Sequence, residues 1–102
     1  MADRVVVIGA GIGGLAAALR LAVAGHEVIV IDKESEVGGK ARQLSVDGTA
    51  IDAGPTVFTM RDVFDALFAS AGREMDACLE IRRADVLARH AWDGRGQLDR
   101  FA

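Results

Sequence analysis

Cysteine is nearly missing from this sequence, and charge of one sign does not dominate it. The single cysteine, Cys78, has no partner for a disulfide within the chain, so a reducing, cytoplasmic setting is the simplest expectation. We predict that this thiol is buried and inert rather than catalytic. The formal net charge is −3, and acidic and basic residues alternate along the chain. This balance provides no electrostatic basis for binding nucleic acid.

Long apolar runs and catalytic clusters are also missing. The longest uncharged run, residues 5–19, is too short for a membrane span and is interrupted by glycines. Its likeness to a signal-peptide core is explained better by the glycine pattern itself. His90 has no second histidine at metal-ligand spacing, and no paired carboxylates or Ser/His/Asp arrangement is visible. We therefore predict no metal site, leave the catalytic residues unknown, and expect the chemistry to come from a cofactor.

A glycine-rich turn between two β-branched runs is the strongest pattern present. Residues 5–8 predict a strand buried on both faces of a parallel sheet. The turn that follows consists of Gly9, Ala10, Gly11, Ile12, Gly13 and Gly14. Gly9 permits a tight turn, Gly11 lets the backbone approach a pyrophosphate, and Gly14 allows close helix–strand packing. We predict that the next helix offers its N-terminal N–H groups to a diphosphate and ends at Gly25.

A carboxylate follows the second strand. Residues 28–31 predict that strand, and Asp32 stands where Rossmann-type folds place the acid that accepts hydrogen bonds from an adenosine ribose. The combination predicts dinucleotide binding, with a purely structural glycine turn as the alternative. An anion at this position disfavours the 2′-phosphate of NADP, so NAD and FAD remain.

A second pair of glycines, Gly38 and Gly39, precedes two cations, Lys40 and Arg42. The pair is either a simple loop or a backbone segment that passes close to a phosphate. Strands over residues 42–46 and 49–51 are predicted to form a hairpin across a type I′ turn at residues 47–48. The segment that follows breaks regular structure, and on its own it would be only a turn; it contains Gly54, Pro55 and Thr56.

The rest of the chain predicts helical segments and a second hairpin. Thr59 and Asp62 fit a capping box for a helix that ends at Gly72. One face of that helix is apolar, and we interpret it as core rather than as a ring-stacking site; it carries Val63, Phe64, Leu67, Phe68 and Ala71. A helical turn is expected over 74–78, a strand over 79–82, and a hairpin with strands 86–92 and 97–101. His90 and Trp92 should share one face of its first strand.

These elements predict an α/β fold with a Rossmann-like dinucleotide-binding βαβ core and a parallel sheet, followed by a hairpin and the first strands of another region. We assign residues 1–80 to the amino-terminal part of the cofactor-binding domain and 81–102 to the start of a substrate-binding region. A complete sheet of this class needs five or six strands. A chain of 102 residues is therefore expected to be truncated, marginally stable and inactive alone.

The sequence resembles the FAD-dependent carotenoid desaturases, relatives of the amine oxidases and of protoporphyrinogen oxidase. The resemblance rests on VVVIGAGIGGLAAALRLAVAGHEVIVID, then GGKAR, then DAGPT. Two later stretches, GPTVFTMRDVFDALFASAG and LARHAWDGRGQLDRF, are most similar to the bacterial 1-hydroxycarotenoid 3,4-desaturases, also called hydroxyneurosporene or methoxyneurosporene desaturases.

Site residues follow from this resemblance. The glycine turn would face the FAD pyrophosphate and Asp32 the ribose. The diphosphate and ribityl region would be lined by Gly39, Lys40 and Arg42. The flavin would be approached by Gly54, Pro55 and Thr56. The candidate cofactor-binding set is completed by Ala10, Ile12, Gly13 and Lys33. The family usually has Glu at the position of Asp32 and often has Arg at the position of Lys40, so Arg42 could supply the cation that binds as a guanidinium fork.

The resemblance also implies a reaction. FAD would remove two hydrogens from a C–C bond next to the polyene of an apolar carotenoid, and oxygen or a membrane quinone would be the electron acceptor. The full-length protein would be cytoplasmic, with peripheral association at the inner membrane as an expectation. The alternatives are a phytoene desaturase, an amine oxidase-type flavoenzyme, and a truncated, non-catalytic dinucleotide-binding module.

Overall fold

The computed structural model describes residues 3–55, 57–94 and 96–101. In chain order these ranges contain β1 Arg4–Ile8, α1 Ile12–Val23, β2 Glu27–Ile31, β3 Gln43–Val46, β4 Thr49–Asp52, α2 Arg61–Ser70, α3 Met75–Cys78, β5 Val86–Trp92 and β6 Gly96–Phe101. The strands pair as β1 with β2, β3 with β4 and β5 with β6. No helix in the described ranges is long and apolar enough to cross a membrane.

The amino-terminal βαβ unit has the predicted Rossmann-like arrangement. Strands β1 and β2 are parallel, in a register that runs from Arg4 opposite Glu27 to Ile8 opposite Ile31, and α1 is the crossover between them. The end of α1 is a Schellman motif, in which the N–H of His26 donates to the carbonyl of Leu21 at 3.1 Å. This motif confirms that the helix ends at Gly25.

The outer face of the β1–β2 pair is uncovered. Val5 and Val7 are half-buried on the face that meets α1, whereas Val6 is 50% and Ile8 is 87% exposed on the other face. The prediction that β1 is buried on both faces is therefore wrong. Nothing in the described part of the chain forms a layer over the outer face, and a β-branched run alone does not reveal whether such a layer exists.

The first hairpin forms as predicted. Strands β3 and β4 pair antiparallel, with Gln43 opposite Asp52 and Val46 opposite Thr49. Both turn residues have positive φ, 49° at Asp47 and 81° at Gly48, as a type I′ turn requires.

Helix α2 confirms its predicted end but not its predicted start. The residue before it, Met60, lies in the left-handed region with φ 55° and ψ 49°, and no side chain of the described residues caps the helix. The capping box at Thr59 and Asp62 is therefore wrong, because the left-handed turn at Met60 moves Thr59 out of the capping position. Gly72 follows the helix in a second Schellman motif, as predicted. Phe64, Leu67, Phe68 and Ala71 are half-buried, whereas Val63 is exposed.

The one-turn helix α3 buries only its first residue. Met75 is 2% exposed and, with Ala10 and Ala18, makes up the buried apolar residues of the described ranges. Cys78 is exposed, so the prediction of a buried thiol is wrong. Nothing in the described chain covers the end of this single turn. Residues 79–82 form no strand within the described range 57–94, contrary to prediction, because no neighbouring strand is there to pair with them.

The carboxy-terminal hairpin confirms its prediction. Strands β5 and β6 are antiparallel, from Val86 opposite Phe101 to Trp92 opposite Gly96, with an irregularity between Val86 and Ala88. The rings of His90 and Trp92 stack on one face with centroids 6.2 Å apart. The predicted loop includes Arg95, which lies outside the described residues.

Candidate dinucleotide-binding site

The glycine turn begins at the carboxyl end of both parallel strands. Gly9 has φ +105°, a conformation that side chains disfavour, and its N–H donates to the carbonyl of Ile31 at 2.7 Å. Three residues later, at Ile12, the chain enters α1, whose first hydrogen bond runs from the N–H of Leu15 to the carbonyl of Gly11 at 2.9 Å. The turn therefore joins the end of β1 to the start of α1 beside the end of β2.

Gly14 allows the helix to start directly against the strand. A Cβ at this position would lie 1.8 Å from the carbonyl oxygen of Gly9, a distance that no side chain can occupy. This contact confirms the predicted close helix–strand packing.

The first turn of α1 has backbone N–H groups without a hydrogen-bond acceptor in the helix. Gly11 precedes the helix without a side-chain cap from the described residues, and the first helical turn carries no acidic residue. The N–H groups of Ile12, Gly13 and Gly14 have no acceptor within the helix, because the first four N–H groups of any α-helix lack one. The helix dipole adds partial positive charge at the same place. This end of the helix is suited to an anion such as a diphosphate.

Asp32 lies against the glycine turn. Its Oδ2 accepts a hydrogen bond from the N–H of Ala10 at 2.6 Å, and its Oδ1 accepts one from the N–H of Glu34 at 2.8 Å. These bonds hold the pKa of Asp32 below its ordinary value of 3.8, and the bond from Ala10 has the largest effect. The side chain is therefore a carboxylate at neutral pH. The ribose contact of Asp32 stays a prediction.

Lys33 is exposed beside this arrangement. Its side chain is 89% exposed, and its ammonium lies 3.9 Å from the carboxylate of Glu34. The structure thus leaves Lys33 at the surface next to the site, and its cofactor contact stays a prediction.

The second glycine pair meets the first glycine turn. The N–H of Gly38 donates to the carbonyl of Ala10 at 2.8 Å, and Gly11 and Gly38 form an isolated parallel bridge. A Cβ on Gly39 would lie only 3.0 Å from the Cα of Gly11. The second glycine pair therefore lies against the first glycine turn, and its approach to a phosphate stays a prediction.

Gly54 continues the same chain of close backbone contacts. A Cβ here would lie 1.8 Å from the carbonyl oxygen of Lys40, and the N–H of Ala53 donates to the carbonyl of Arg42 at 2.8 Å. A cavity of about 340 Å³ lies at this junction and is lined by Ala41, Arg42, Gln43, Asp52, Gly54 and Pro55. Three predicted residues, Arg42, Gly54 and Pro55, thus share one cavity. Thr56 lies outside the described residues.

Some residues at this junction were not singled out from the sequence. The side-chain amide of Gln43 donates to Oδ1 of Asp52 at 2.8 Å across the hairpin. The register set by the turn at Asp47 and Gly48 already places these two residues opposite each other. The bond from Ala10 to Asp32 has no such signal, because it depends on how the turn folds back over the end of β2.

A larger cavity of about 960 Å³ lies elsewhere, between the start of α2 and the segment 79–87. Apolar side chains, among them Phe58, Leu79 and Ile81, line it together with arginines. The ring of Phe58 packs on that of Phe64 with centroids 4.6 Å apart.

Arg61 lies at the edge of this cavity and forms ion pairs with Asp76 at 2.5 Å and with Asp65 at 3.3 Å. Hydrogen bonds to these two carboxylates raise the pKa of Arg61, and the bond to Asp76 has the larger effect. No cluster that could hold a metal ion occurs in the described ranges.

Fold and site together define a dinucleotide-binding unit of the Rossmann type. Residues 7–71 match the family described as NAD(P)-binding Rossmann-like domain, and the chain belongs to this family. The family and the site support a nucleotide cofactor.

Individual relatives are more specific. The chain is 56% identical over 100 residues, 97% of its length, to the hydroxyneurosporene desaturase of Rubrivivax gelatinosus, and 50% identical over 97 residues to that of Rhodobacter capsulatus. It is 44% identical over 80 residues, 78% of its length, to a 4,4'-diapophytoene desaturase of Staphylococcus aureus. The aligned residues make up 19%, 20% and 16% of those three proteins, so the chain spans about a fifth of the length of the curated relatives it matches.

Proposed function

We propose that this chain is the FAD-binding, amino-terminal part of a carotenoid desaturase that acts on a 1-hydroxylated acyclic carotenoid. The observation that carries the proposal is the meeting of two glycine segments beside Asp32, in a chain 56% identical over 100 residues to a hydroxyneurosporene desaturase. The first part of that observation concerns the cofactor, and the second concerns the reaction.

The residues present fit a dinucleotide. Gly11 and Gly39 meet backbone to backbone with no side chain at the contact, so no side chain from either glycine would hinder a diphosphate that approaches the N–H groups of α1. Exposed cations on the neighbouring segment, Lys40 and Arg42, would balance the diphosphate charge. Asp32 would hold the ribose at the other end.

The extent of the site favours FAD over NAD. The close backbone contacts continue beyond the βαβ unit, from residues 38–42 to Gly54 and the cavity of about 340 Å³. This surface would receive the flavin half of the molecule. When bound, FAD would supply the acceptor for the hydride that leaves an allylic C–H bond of the polyene. The chain's own residues would bind and orient it.

The remaining parts of the proposal concern the whole protein. Its substrate would be an apolar carotenoid, its electron acceptor oxygen or a quinone, and its location cytoplasmic, with peripheral attachment to the inner membrane. A desaturase of non-hydroxylated carotenoids is the second candidate, and the 44% identity over 80 residues to a diapophytoene desaturase supports it.

Replacing Gly11 with Ala tests the cofactor site. A Cβ at Gly11 would meet only the Cα of Gly39 at 3.9 Å, and Gly11 has an ordinary extended conformation with φ −75°. We therefore expect Gly11→Ala to leave the thermal midpoint nearly unchanged and to weaken FAD binding at least tenfold, about 1.4 kcal/mol, because the methyl group would meet the pyrophosphate. Titration of FAD into the full-length protein, followed by flavin fluorescence, measures the affinity.

Gly13→Ala is the matched control. It adds the same methyl group two residues away, where nothing lies within 4 Å and the G-x-G-x-x-G pattern requires no glycine. Alanine keeps the backbone N–H that this position would offer to the diphosphate. It should keep the wild-type affinity. Equal FAD affinity in the Gly11→Ala and wild-type chains would contradict the predicted approach of the pyrophosphate.

The reaction needs a separate test on the full-length protein. We expect it to introduce a double bond into a 1-hydroxylated acyclic carotenoid, seen as a red shift of the absorption spectrum. Activity on phytoene alone would favour the second candidate. A reading frame that stops after Ala102 would instead favour the non-catalytic module.

A further inference from the structure

Ala10 is the point at which three segments of the chain are joined. It is 2% exposed, its N–H donates to Oδ2 of Asp32 at 2.6 Å, and its carbonyl accepts from the N–H of Gly38 at 2.8 Å. The glycine turn, the end of β2 and the second glycine pair therefore meet through one residue. Of these bonds, only the one to Asp32 depends on a side chain.

The bond from Ala10 to Asp32 spans 22 positions in the sequence and is partly buried. The other carboxylate oxygen accepts from Glu34, two residues away, so the carboxylate is held from both sides. Hydrogen bonds to a charged acceptor are stronger than those between neutral groups. The carboxylate therefore restrains the turn at the residue just before Gly11.

We propose that Asp32 is a positioning residue, which holds the glycine turn in its binding conformation before any dinucleotide arrives. A carboxylate oxygen has two lone pairs, and each oxygen of Asp32 uses one for a backbone N–H. One lone pair on each oxygen remains for the ribose hydroxyls. A single side chain thus orders the turn and still accepts from the ligand, which lowers the entropic cost of binding. The ligand part of this inference rests on the proposed function, and the ordering of the turn does not.

In this chain the length of the Asp32 side chain matches this role. Glu would place the carboxylate one C–C bond, about 1.5 Å, further from the end of β2. Since Asp32 already reaches Ala10 at 2.6 Å and Glu34 at 2.8 Å, Glu would have to bend back or shift the backbone to make both bonds. Asp32→Glu should therefore keep the charge and the ribose acceptors but weaken the restraint on the turn.

Amide hydrogen exchange on the ligand-free chain, followed by NMR at low temperature, tests the restraint. We expect exchange at the Ala10 amide to be at least tenfold faster in Asp32→Ala and also faster in Asp32→Glu. The amide of Leu15, which bonds to Gly11 inside α1, should not change and reports that the unit remains folded. Glu34→Gln is the matched control, because it removes a neighbouring carboxylate and keeps the N–H that Asp32 accepts. Its exchange at Ala10 should equal that of wild type.

FAD titration of the same variants tests the consequence for binding. We expect Asp32→Ala to bind at least tenfold more weakly than wild type and Asp32→Glu to fall between them. Unchanged exchange at Ala10 in Asp32→Ala overturns the inference, and so does faster exchange with wild-type FAD affinity in Asp32→Glu. These titrations use the full-length protein. If the wild-type protein does not bind FAD, the proposed function fails, and the exchange data alone decide whether Asp32 orders the turn.

Discussion

The amino-terminal region, residues 4–55, and the carboxy-terminal region, residues 57–101, are held together by different interactions. In the first, backbone groups join distant segments, as in the bonds from Gly38 to Ala10 and from Ala53 to Arg42. In the second, side-chain ion pairs join neighbouring elements, as between Arg89 and Asp99 on the second hairpin. The candidate site lies in the region built from backbone contacts.

This difference explains where the two regions should be sensitive to substitution. Close backbone approach leaves no room for a Cβ at several glycines, so the stability of the amino-terminal region should depend on these positions remaining glycine. Exposed ion pairs contribute little to stability, so the carboxy-terminal region should depend instead on its few buried apolar groups. Three pairs of substitutions test this contrast, and we give them in order of decreasing expected effect.

Gly14→Ala should have the largest effect. Its Cβ would lie 1.8 Å from the carbonyl oxygen of Gly9, and backbone on both sides cannot move without separating α1 from β1. We expect a loss of at least about 3 kcal/mol, enough to abolish the cooperative thermal transition followed by circular dichroism.

Gly13→Ala is its control within the same helical turn. Nothing lies within 4 Å of the added Cβ, so the better helix propensity of alanine should raise stability by up to about 1 kcal/mol. A Gly14→Ala chain that melts like wild type would contradict the close packing on which the contrast depends.

Met75→Ala should have the second largest effect, in the carboxy-terminal region. Met75 is 2% exposed, and removing a buried methionine side chain typically costs about 2–5 kcal/mol. The free energy of unfolding, measured in urea, should fall by about 2 kcal/mol or more.

Met60→Ala is the matched control, because it removes the same side chain from a position that is 68% exposed. Its unfolding free energy should stay within about 0.5 kcal/mol of wild type. Equal losses in the two alanine variants would show that burial of Met75 does not stabilise this region.

The ion pair between Arg89 and Asp99 should have the smallest effect. Two parallel hydrogen bonds of 2.7 and 2.9 Å join the side chains of Arg89 and Asp99. Hydrogen bonding to Arg89 is the largest cause that lowers the pKa of Asp99 below its ordinary value of 3.8. A lowered pKa in the folded state means that the stabilisation is present above pH 4 and is lost as the pH falls through the folded pKa.

We therefore expect Asp99→Asn to lower the thermal midpoint slightly at pH 7, and the difference from wild type to vanish at low pH. Asp93→Asn makes the same charge change in the turn of the same hairpin and should not show this dependence. A difference between Asp99→Asn and wild type that persists at pH 2 would rule out the ion pair as its cause.

Much of the fold could be predicted because its determinants are local. The β-branched runs, the glycines after both long helices and the Asp47-Gly48 turn each favour one backbone conformation whatever surrounds them. One error is local, because the left-handed turn at Met60 removes the capping box predicted at Thr59 and Asp62. The other errors concern neighbours distant in sequence. Residues 79–82 have no strand to pair with, Cys78 has no cover, and β1 has a layer on only one face.

The same division applies to the candidate site. A carboxylate at the end of β2 and glycines after β1 could be predicted, since their spacing follows from the length of one βαβ unit. That Asp32 bonds to Ala10 and that Lys40 contacts Gly54 could not, because these contacts form between segments whose relative position depends on packing.

By itself, then, the sequence determined which segments become strand, helix and turn, because backbone preferences act over a few residues. Only the tertiary structure decided that residues 9–14, 38–42 and 53–55 form one continuous surface. Hydrogen bonds and close backbone contacts between distant residues exist only once the chain has folded, and no local preference encodes them.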